Sequence, residues 1–247
     1  MTQPDPRARG TANPWGVREA AIGFLAGLVL AAITTSVSES ATGYHSGPLP
    51  VAVTTADVVG LWVGLAGAAV WASRRRGTGS LATDFGLRIG GWQDLVGGAA
   101  VGAACQYLLI PALYWPFEQF DHSLRHQLSQ PAHNEAGTAH SIGAVVLLVV
   151  VLAIGAPIVE ELFFRGLLLR GLLGSGFGAG AVRPALAIVV SGVLFGLAHF
   201  EAVQFGGLAV FGVVLGVLAW RTGRLVPGMA AHATFNAVAL IGVVHVH

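Results

Sequence analysis

Long apolar runs separated by short polar segments dominate this chain of 247 residues. A helix that crosses a bilayer needs about 20 consecutive, mostly apolar residues. The runs that meet this requirement cover 18–38, 51–72, 92–115, 142–172, 184–200, 203–220 and 226–245. The pattern therefore predicts an all-α, polytopic transmembrane bundle of about seven spans.

The fourth run, 142–172, is too long for one straight crossing. Gly155 and Pro157 lie inside it. A proline within a helix has no N–H to donate, which frees a carbonyl and permits a kink. We therefore expect a bent helix in this segment.

Small residues recur four positions apart in several runs, a spacing that lets helix backbones approach closely in lipid. The pairs are Gly23/Gly27, Gly60/Gly64, Gly98/Gly102, Gly192/Gly196 and Gly212/Gly216. They favour a tightly packed bundle.

Composition supports a membrane environment. Charged residues make up 10% of the chain, apolar residues 54%, and the mean hydropathy is +0.71. Soluble domains carry about a quarter charged residues, so a soluble fold could not bury this much apolar surface. The net charge of +1 provides no basic face for phosphates and argues against a nucleic-acid partner. The single cysteine, Cys105, excludes an internal disulfide framework.

The distribution of arginines predicts the orientation in the membrane. With the N-terminus in the cytoplasm, the outer segments contain Arg125 and several acids, and the inner segments contain most of the other arginines. The inner residues are Arg7, Arg9, Arg18, Arg74, Arg75, Arg76, Arg88, Arg170, Arg183, Arg221 and Arg224. This asymmetry follows the positive-inside rule. The longest polar connection, 115–141, is expected to be a solvated outer loop.

Glu160 and Glu161 interrupt an otherwise apolar stretch, and a carboxylate at bilayer depth is costly. Arg165 lies four residues beyond Glu161, so the two side chains share a helix face and are expected to pair. Glu160 points about 100° away and is free to face a cavity. The alternative is a purely stabilising ion pair with a spare acid.

Two further polar groups lie in the last spans. His199 follows Phe195 by four residues, so the two rings are expected to pack together; Asn236 follows His232 by the same spacing. His199 alone is typical of an interface residue, and Asn236 alone could simply join helices by hydrogen bonds.

The depth of these residues from the cytoplasmic ends of their helices lets Glu160, His199, His232 and Asn236 meet within the bilayer. Such a cluster suits water activation and oxyanion stabilisation. Glu and His also ligate zinc readily, so a metal site is an alternative.

Three motifs in this order resemble those of the CPBP family, which joins CAAX prenyl endopeptidases to bacteriocin-processing and self-immunity proteins. Residues 160–165 are similar to its EExxxR motif, 195–199 to its FxxxH motif, and 232–236 to its His and Asn four residues apart. The resemblance covers roughly the last 110 residues. It implies an intramembrane endopeptidase of the type II CAAX kind.

The resemblance also implies roles for the motif residues. Glu160 and His199 would activate the hydrolytic water, and His232 and Asn236 would hold the oxyanion. Glu161, Arg165 and Phe195 would support them. The family has been described both as metallopeptidases and as glutamate peptidases. If zinc is present, Glu160, His199 and His232 would bind it, although the chain has no HExxH motif.

These inferences divide the chain into three parts. They are a polar cytoplasmic tail (1–17), N-terminal transmembrane helices and loops (18–138) and a catalytic transmembrane core (139–247). The expected partners are membrane lipid and a membrane-associated protein or peptide substrate, and the expected location is the cell membrane of a bacterium. Two other functions stay open. One is a non-catalytic scaffold or self-immunity protein, and the other is a transporter or proton relay, since intramembrane Glu and His also mark such pathways.

Overall fold

The computed structural model describes residues 15–47, 49–136, 139, 141–175, 180 and 182–244. These residues form nine helices and no strand. The helices are α1 (Val17–Thr42), α2 (Val51–Arg76), α3 (Leu81–Phe85), α4 (Trp92–Glu118), α5 (Leu124–Ala136), α6 (Ile142–Gly174), α7 (Val182–Leu197), α8 (Phe205–Thr222) and α9 (Val226–Val244). The predicted all-α, polytopic bundle is confirmed.

Each of the seven predicted spans corresponds to a helix. Within the described ranges, α1, α2, α4, α6 and α8 are long and apolar enough to cross a membrane. The other two, α7 and α9, are apolar but shorter by this criterion. Seven complete crossings, a cytoplasmic N-terminus and the domain division therefore stay predictions. Arg7, Arg9 and the chain end at His247 lie outside the described residues.

The expected irregularity in the fourth span takes a specific form. Two wide π-helical turns, Val149–Gly155 and Leu162–Leu168, interrupt α6, and Pro157 lies on the α-helical stretch between them. A π-turn inserts one residue into the helix and shifts the side chains that follow. The two glutamates at 160 and 161 therefore lie between two such shifts.

The predicted small-residue pairs lie where helices cross closely. A side chain on Gly64 of α2 would overlap the backbone of Gly27 in α1, and one on Gly212 of α8 would overlap Gly192 in α7. A side chain on Gly102 would likewise meet the backbone of α9. Glycine thus brings α1 to α2, α7 to α8 and α4 to α9, as close packing in lipid requires.

Polar contacts close the end of the bundle that the arginines assign to the cytoplasm. Arg224, which precedes α9, binds Asp94 at the start of α4 through two hydrogen bonds of 2.7 and 2.8 Å. Asp84 of α3 accepts from Ser73 and from Thr78. Burial alone would raise the pKa of Asp84, but these hydrogen bonds outweigh burial and hold the pKa below its ordinary value.

The connection 115–141 differs from the expected loop, because most of it is helical. α4 continues to Glu118, and α5 covers Leu124–Ala136. Leu124 and Leu128 lie one turn apart on α5, and both are half-buried while Arg125 and Gln127 between them are exposed. This apolar face packs α5 onto the bundle. The polar connection therefore contains a helix with a short apolar stripe, and its predicted position outside the membrane stays a prediction.

Candidate active site

The centre of the site is the ion pair predicted from the spacing of Glu161 and Arg165. Nη1 of Arg165 donates to Oε1 of Glu161 at 2.8 Å, and both side chains are 0% exposed. Nη2 of Arg165 donates to the carbonyl of Gly212 in α8 at 3.0 Å. The guanidinium also lies over the ring of Phe195 in α7, 4.4 Å from its centroid. Arg165 therefore fixes α6 against two neighbouring helices.

Glu161 has a second partner that the sequence pattern did not predict. Its Oε1 lies 3.3 Å from Nδ1 of His232 in α9. Gly228, one turn before His232, makes room for this carboxylate, because a Cβ there would lie 2.8 Å from Oε2 of Glu161. Glu161 thus connects the arginine of its own helix to the histidine of α9.

Glu160 lies at the meeting point of two histidines. Its Oε2 is 3.9 Å from Nε2 of His199 and 3.9 Å from Nε2 of His232. Both separations exceed the length of a direct hydrogen bond. A water that forms a hydrogen bond of about 2.8 Å to each group holds the groups roughly 4–5 Å apart, so a separation of 3.9 Å is close to a water-bridged spacing. Oε2 of Glu160 is buried and has no hydrogen-bond partner among the described residues.

Exposure separates the two glutamates. The side chain of Glu160 is 14% exposed and that of His199 is 31% exposed, whereas Glu161 and Arg165 are fully enclosed. Glu160 and His199 are therefore the more accessible pair of these four residues. Glu161 and Arg165 form its buried support.

The Nδ1 atom of His199 contacts the backbone of its own helix, on the side of the ring away from Nε2. Nδ1 lies 2.8 Å from the carbonyl of Phe195 one turn earlier. A carbonyl oxygen only accepts, so Nδ1 carries a proton, and when the ring is neutral Nε2 presents its lone pair towards Glu160. Helix α7 ends immediately before this point, and Phe200 adopts a left-handed backbone conformation with φ of 55°.

Aromatic rings surround the two imidazoles, as the spacing of Phe195 and His199 predicted. The ring of Phe195 packs edge-on against His199, with centroids 4.7 Å apart, and against His232 at 5.4 Å. Phe211 also packs edge-on against His232, with centroids 5.6 Å apart. Phe195 is fully buried. It therefore restricts both histidines and the Arg165 guanidinium at once.

Asn236 makes a different contact from the other predicted site residues. Its Nδ2 donates to the backbone carbonyl of Leu152 in α6 at 2.9 Å. The contacts that join Glu160, His199 and His232 do not include it. Its predicted role in binding an oxyanion stays a prediction.

The alternative of a zinc site depends on Glu160, His199 and His232. Zinc binds nitrogen and oxygen ligands at about 2.0–2.2 Å in a tetrahedron, which brings ligand atoms to roughly 3.3–3.6 Å from one another. The measured separations from Glu160 to both histidines are 3.9 Å. No group of three or more His, Cys, Asp or Glu side chains in the described ranges is arranged to hold a metal. The carboxylate is thus spaced more widely from both histidines than zinc ligands are, and the zinc alternative stays a prediction.

The geometry can be compared with known protein families. Residues 142–238 match the family model of the Rce1-like type II CAAX prenyl endopeptidases. The matched segment begins at the first residue of α6 and contains all seven predicted site residues. It confirms the resemblance to the CPBP family and supports an intramembrane endopeptidase in general. No curated protein and no solved structure matches the chain.

The Rce1-like segment (142–238) does not hold its site alone. Tyr114 of α4, outside the segment, donates to the carbonyl of Val203 at 2.9 Å and accepts from the N–H of Gly207 at 2.8 Å. Gln204 donates to the carbonyl of Leu128 in α5 at 2.7 Å. The turn that follows His199 is thus attached to α4 and α5. Tyr114 belongs to none of the three motifs, so nothing in the sequence pattern predicts these contacts.

Proposed function

We propose that this chain hydrolyses peptide bonds within the membrane, with Glu160 and His199 activating the attacking water. The observation that carries the proposal is the position of Oε2 of Glu160, 3.9 Å from Nε2 of both His199 and His232. A water between Glu160 and His199 can donate one hydrogen to each, because both present acceptors. General-base catalysis requires one such acceptor within hydrogen-bond reach of the attacking water.

In the proposed reaction, Glu160 takes a proton from the attacking water and later gives it to the leaving amine. Water gives one proton to Glu160 as its oxygen bonds to the carbonyl carbon, and the carbonyl oxygen becomes an oxyanion. The proton on Glu160 then passes to the nitrogen of the leaving amine as the C–N bond breaks, which restores the carboxylate. The net change is the addition of one water across the peptide bond.

The oxyanion needs a donor on the other side of the carbonyl. Nε2 of His232 faces the same point as Glu160, while Nδ1 faces Glu161. In its doubly protonated form, the ring donates from Nδ1 to Glu161 and from Nε2 to the oxyanion, which stabilises the charge in the transition state. Asn236, one turn along α9, is the proposed second donor. No step in this mechanism passes through a metal.

The proposed substrate is a membrane-associated or prenylated peptide. Similarity of residues 142–238 to CAAX prenyl endopeptidases supports this class. The position of Glu160 and His199 among apolar helices also supports it, since a lipid-modified peptide partitions into the membrane that surrounds them. The proposed location is the cytoplasmic membrane of a bacterium.

The test uses the purified full chain in liposomes and a quenched fluorescent peptide that ends in a farnesylated CAAX sequence. The same peptide without the farnesyl group tests the substrate class. We expect the wild type to cut the farnesylated peptide, and Glu160→Gln and His199→Ala to lose cutting while remaining folded in the membrane. Glu39→Gln, at the opposite end of α1 from Arg18, is the control and should cut normally. Full activity in Glu160→Gln would refute the proposed mechanism.

A further inference from the structure

The contact between Asn236 and Leu152 points to a second role for the asparagine. Nδ2 of Asn236 donates to the Leu152 carbonyl at 2.9 Å, across the interface of α9 and α6. Leu152 itself is buried. A buried carbonyl without a donor is unfavourable, so the source of its hydrogen bond affects the stability of both helices.

The local backbone explains why this carbonyl needs a side-chain donor. In an α-helix, the donor for Leu152 would be the N–H of Ala156, and in a π-turn it would be the N–H of residue 157. The N–H of Ala156 donates instead to the carbonyl of Val151. Residue 157 is proline and has no N–H. Both of the usual backbone donors are therefore unavailable to Leu152.

We propose that Asn236 is a positioning residue that replaces the backbone donor removed by Pro157. The carboxamide holds α9 against the wide turn of α6, two helical turns before Glu160. This role goes beyond the proposed reaction, because the hydrogen bond exists without substrate.

A second contact acts on the same two helices. His232, one turn before Asn236, faces Glu161 of α6 at 3.3 Å. Leu148 and Val151 of α6 pack with Leu240 of α9 in one apolar cluster just beyond the asparagine. The Asn236–Leu152 bond therefore lies between an apolar contact and the active site. It fixes the rotation and axial position of the helix that carries His232.

The positioning role is compatible with the proposed oxyanion role. An asparagine side chain has two N–H donors, and the Leu152 carbonyl accepts one of them. A single substitution such as Asn236→Ala would remove both roles and could not separate them. Restoring the backbone donor at position 157 can separate them.

The experiment is a double-mutant cycle of Asn236→Ala and Pro157→Ala on the full chain, read out by the Tm in detergent. Asn236→Ala should lower the Tm by about 4 °C, as expected for an unsatisfied buried carbonyl. Pro157→Ala supplies an N–H to the same carbonyl, so in the Asn236→Ala background it should recover at least half of that loss. Pro131→Ala, in α5, is the matched control and should recover nothing. Additive effects of the two substitutions on Tm would overturn the proposal.

Cleavage of the farnesylated peptide gives the second readout. Asn236→Ala should lower kcat about tenfold or more with little change in KM, since His232 is displaced and the binding surface is kept. Recovery of kcat in the double variant, relative to Asn236→Ala, supports positioning. An unchanged Tm in every variant, with kcat lost and never recovered, would overturn positioning and leave Asn236 with the oxyanion role alone. The Tm cycle needs no cleavage, so it decides the proposal even if the peptidase assignment fails.

Discussion

Oε1 of Glu161 lies 3.3 Å from Nδ1 of His232, on a helix 71 positions further along the chain. The same oxygen accepts from Arg165 at 2.8 Å. One carboxylate oxygen therefore links the arginine of the EExxxR motif to the histidine of the last motif.

Glu161→Gln should lower both stability and activity. The substitution removes the carboxylate that is hydrogen-bonded to the fully buried Arg165, and the loss of one partner costs about 3–5 kcal/mol in comparable buried pairs. The free energy of unfolding in detergent measures the loss. Glu118→Gln is the matched control, because its partner Arg125 is 83% exposed, and a surface pair contributes only about 0–1 kcal/mol. Equal losses in the two variants would contradict the buried linkage.

Arg165→Lys keeps the charge but should still lower kcat. Lysine cannot hold Glu161 and the Gly212 carbonyl with one planar group, nor stack on Phe195 as the guanidinium does. We expect a loss of about tenfold or more in kcat, with Arg165→Ala affected further and also less stable. Arg125→Lys serves as the control. Wild-type kinetics in Arg165→Lys would mean that charge alone is required.

Glu160→Gln and His199→Ala should be strongly non-additive. If the two side chains share one water, either substitution alone removes the activation of that water. The cleavage rate of the double variant should then be within about threefold of the rate of the slower single variant. Initial rates with the farnesylated peptide measure this. Losses that multiply would show that the two residues act separately, and a binding surface would then replace the catalytic pair.

Acid should weaken the closed end of the bundle through Asp84. The pKa of Asp84 in the folded chain lies below its ordinary value of 3.8, so the carboxylate stabilises the fold above that value. The stabilisation is lost as the pH falls through the lower, folded pKa. The Tm difference between wild type and Asp84→Asn should therefore be constant near neutral pH and shrink below about pH 4. A Tm difference between wild type and Asp84→Asn that grows on acidification would contradict this prediction.

The membrane orientation is the last prediction. The inner arginines predict the N-terminus in the cytoplasm and His247 on the outer side. Reporter fusions at the two ends should therefore localise to opposite sides. Localisation on the same side would reject an odd number of crossings.

The helical bundle could be predicted because its determinants are local. Apolar run length specifies a helix in lipid, and the four-residue spacing of Glu161 and Arg165 specifies a pair on one face. The close crossings at Gly64 and Gly102 could be anticipated for the same reason, since small residues mark helix contacts in lipid. Each of these features is visible within one turn or one run.

Contacts between distant helices could not be predicted in the same way. The pairing of His232 with Glu161 depends on how α9 rotates against α6, which neither helix encodes alone. The partner of Asn236 depends on the wide turn before Pro157, which shifts the backbone donors of α6 by one residue. An irregularity in α6 could be expected from the proline, but the side chain that donates to the Leu152 carbonyl could not.

The close packing of α4 on α9 means that the matched segment depends on helices outside it. Gly102 lies against Ala231, the residue next to His232, and Ala231 is fully buried there. The matched segment contains the chemical groups, but helices before residue 142 also pack against its last helix. A different N-terminal region could support this helix only if it also placed a small residue at the position of Gly102. A transplanted Rce1-like segment would carry the motif residues to a new chain without the partner that aligns them.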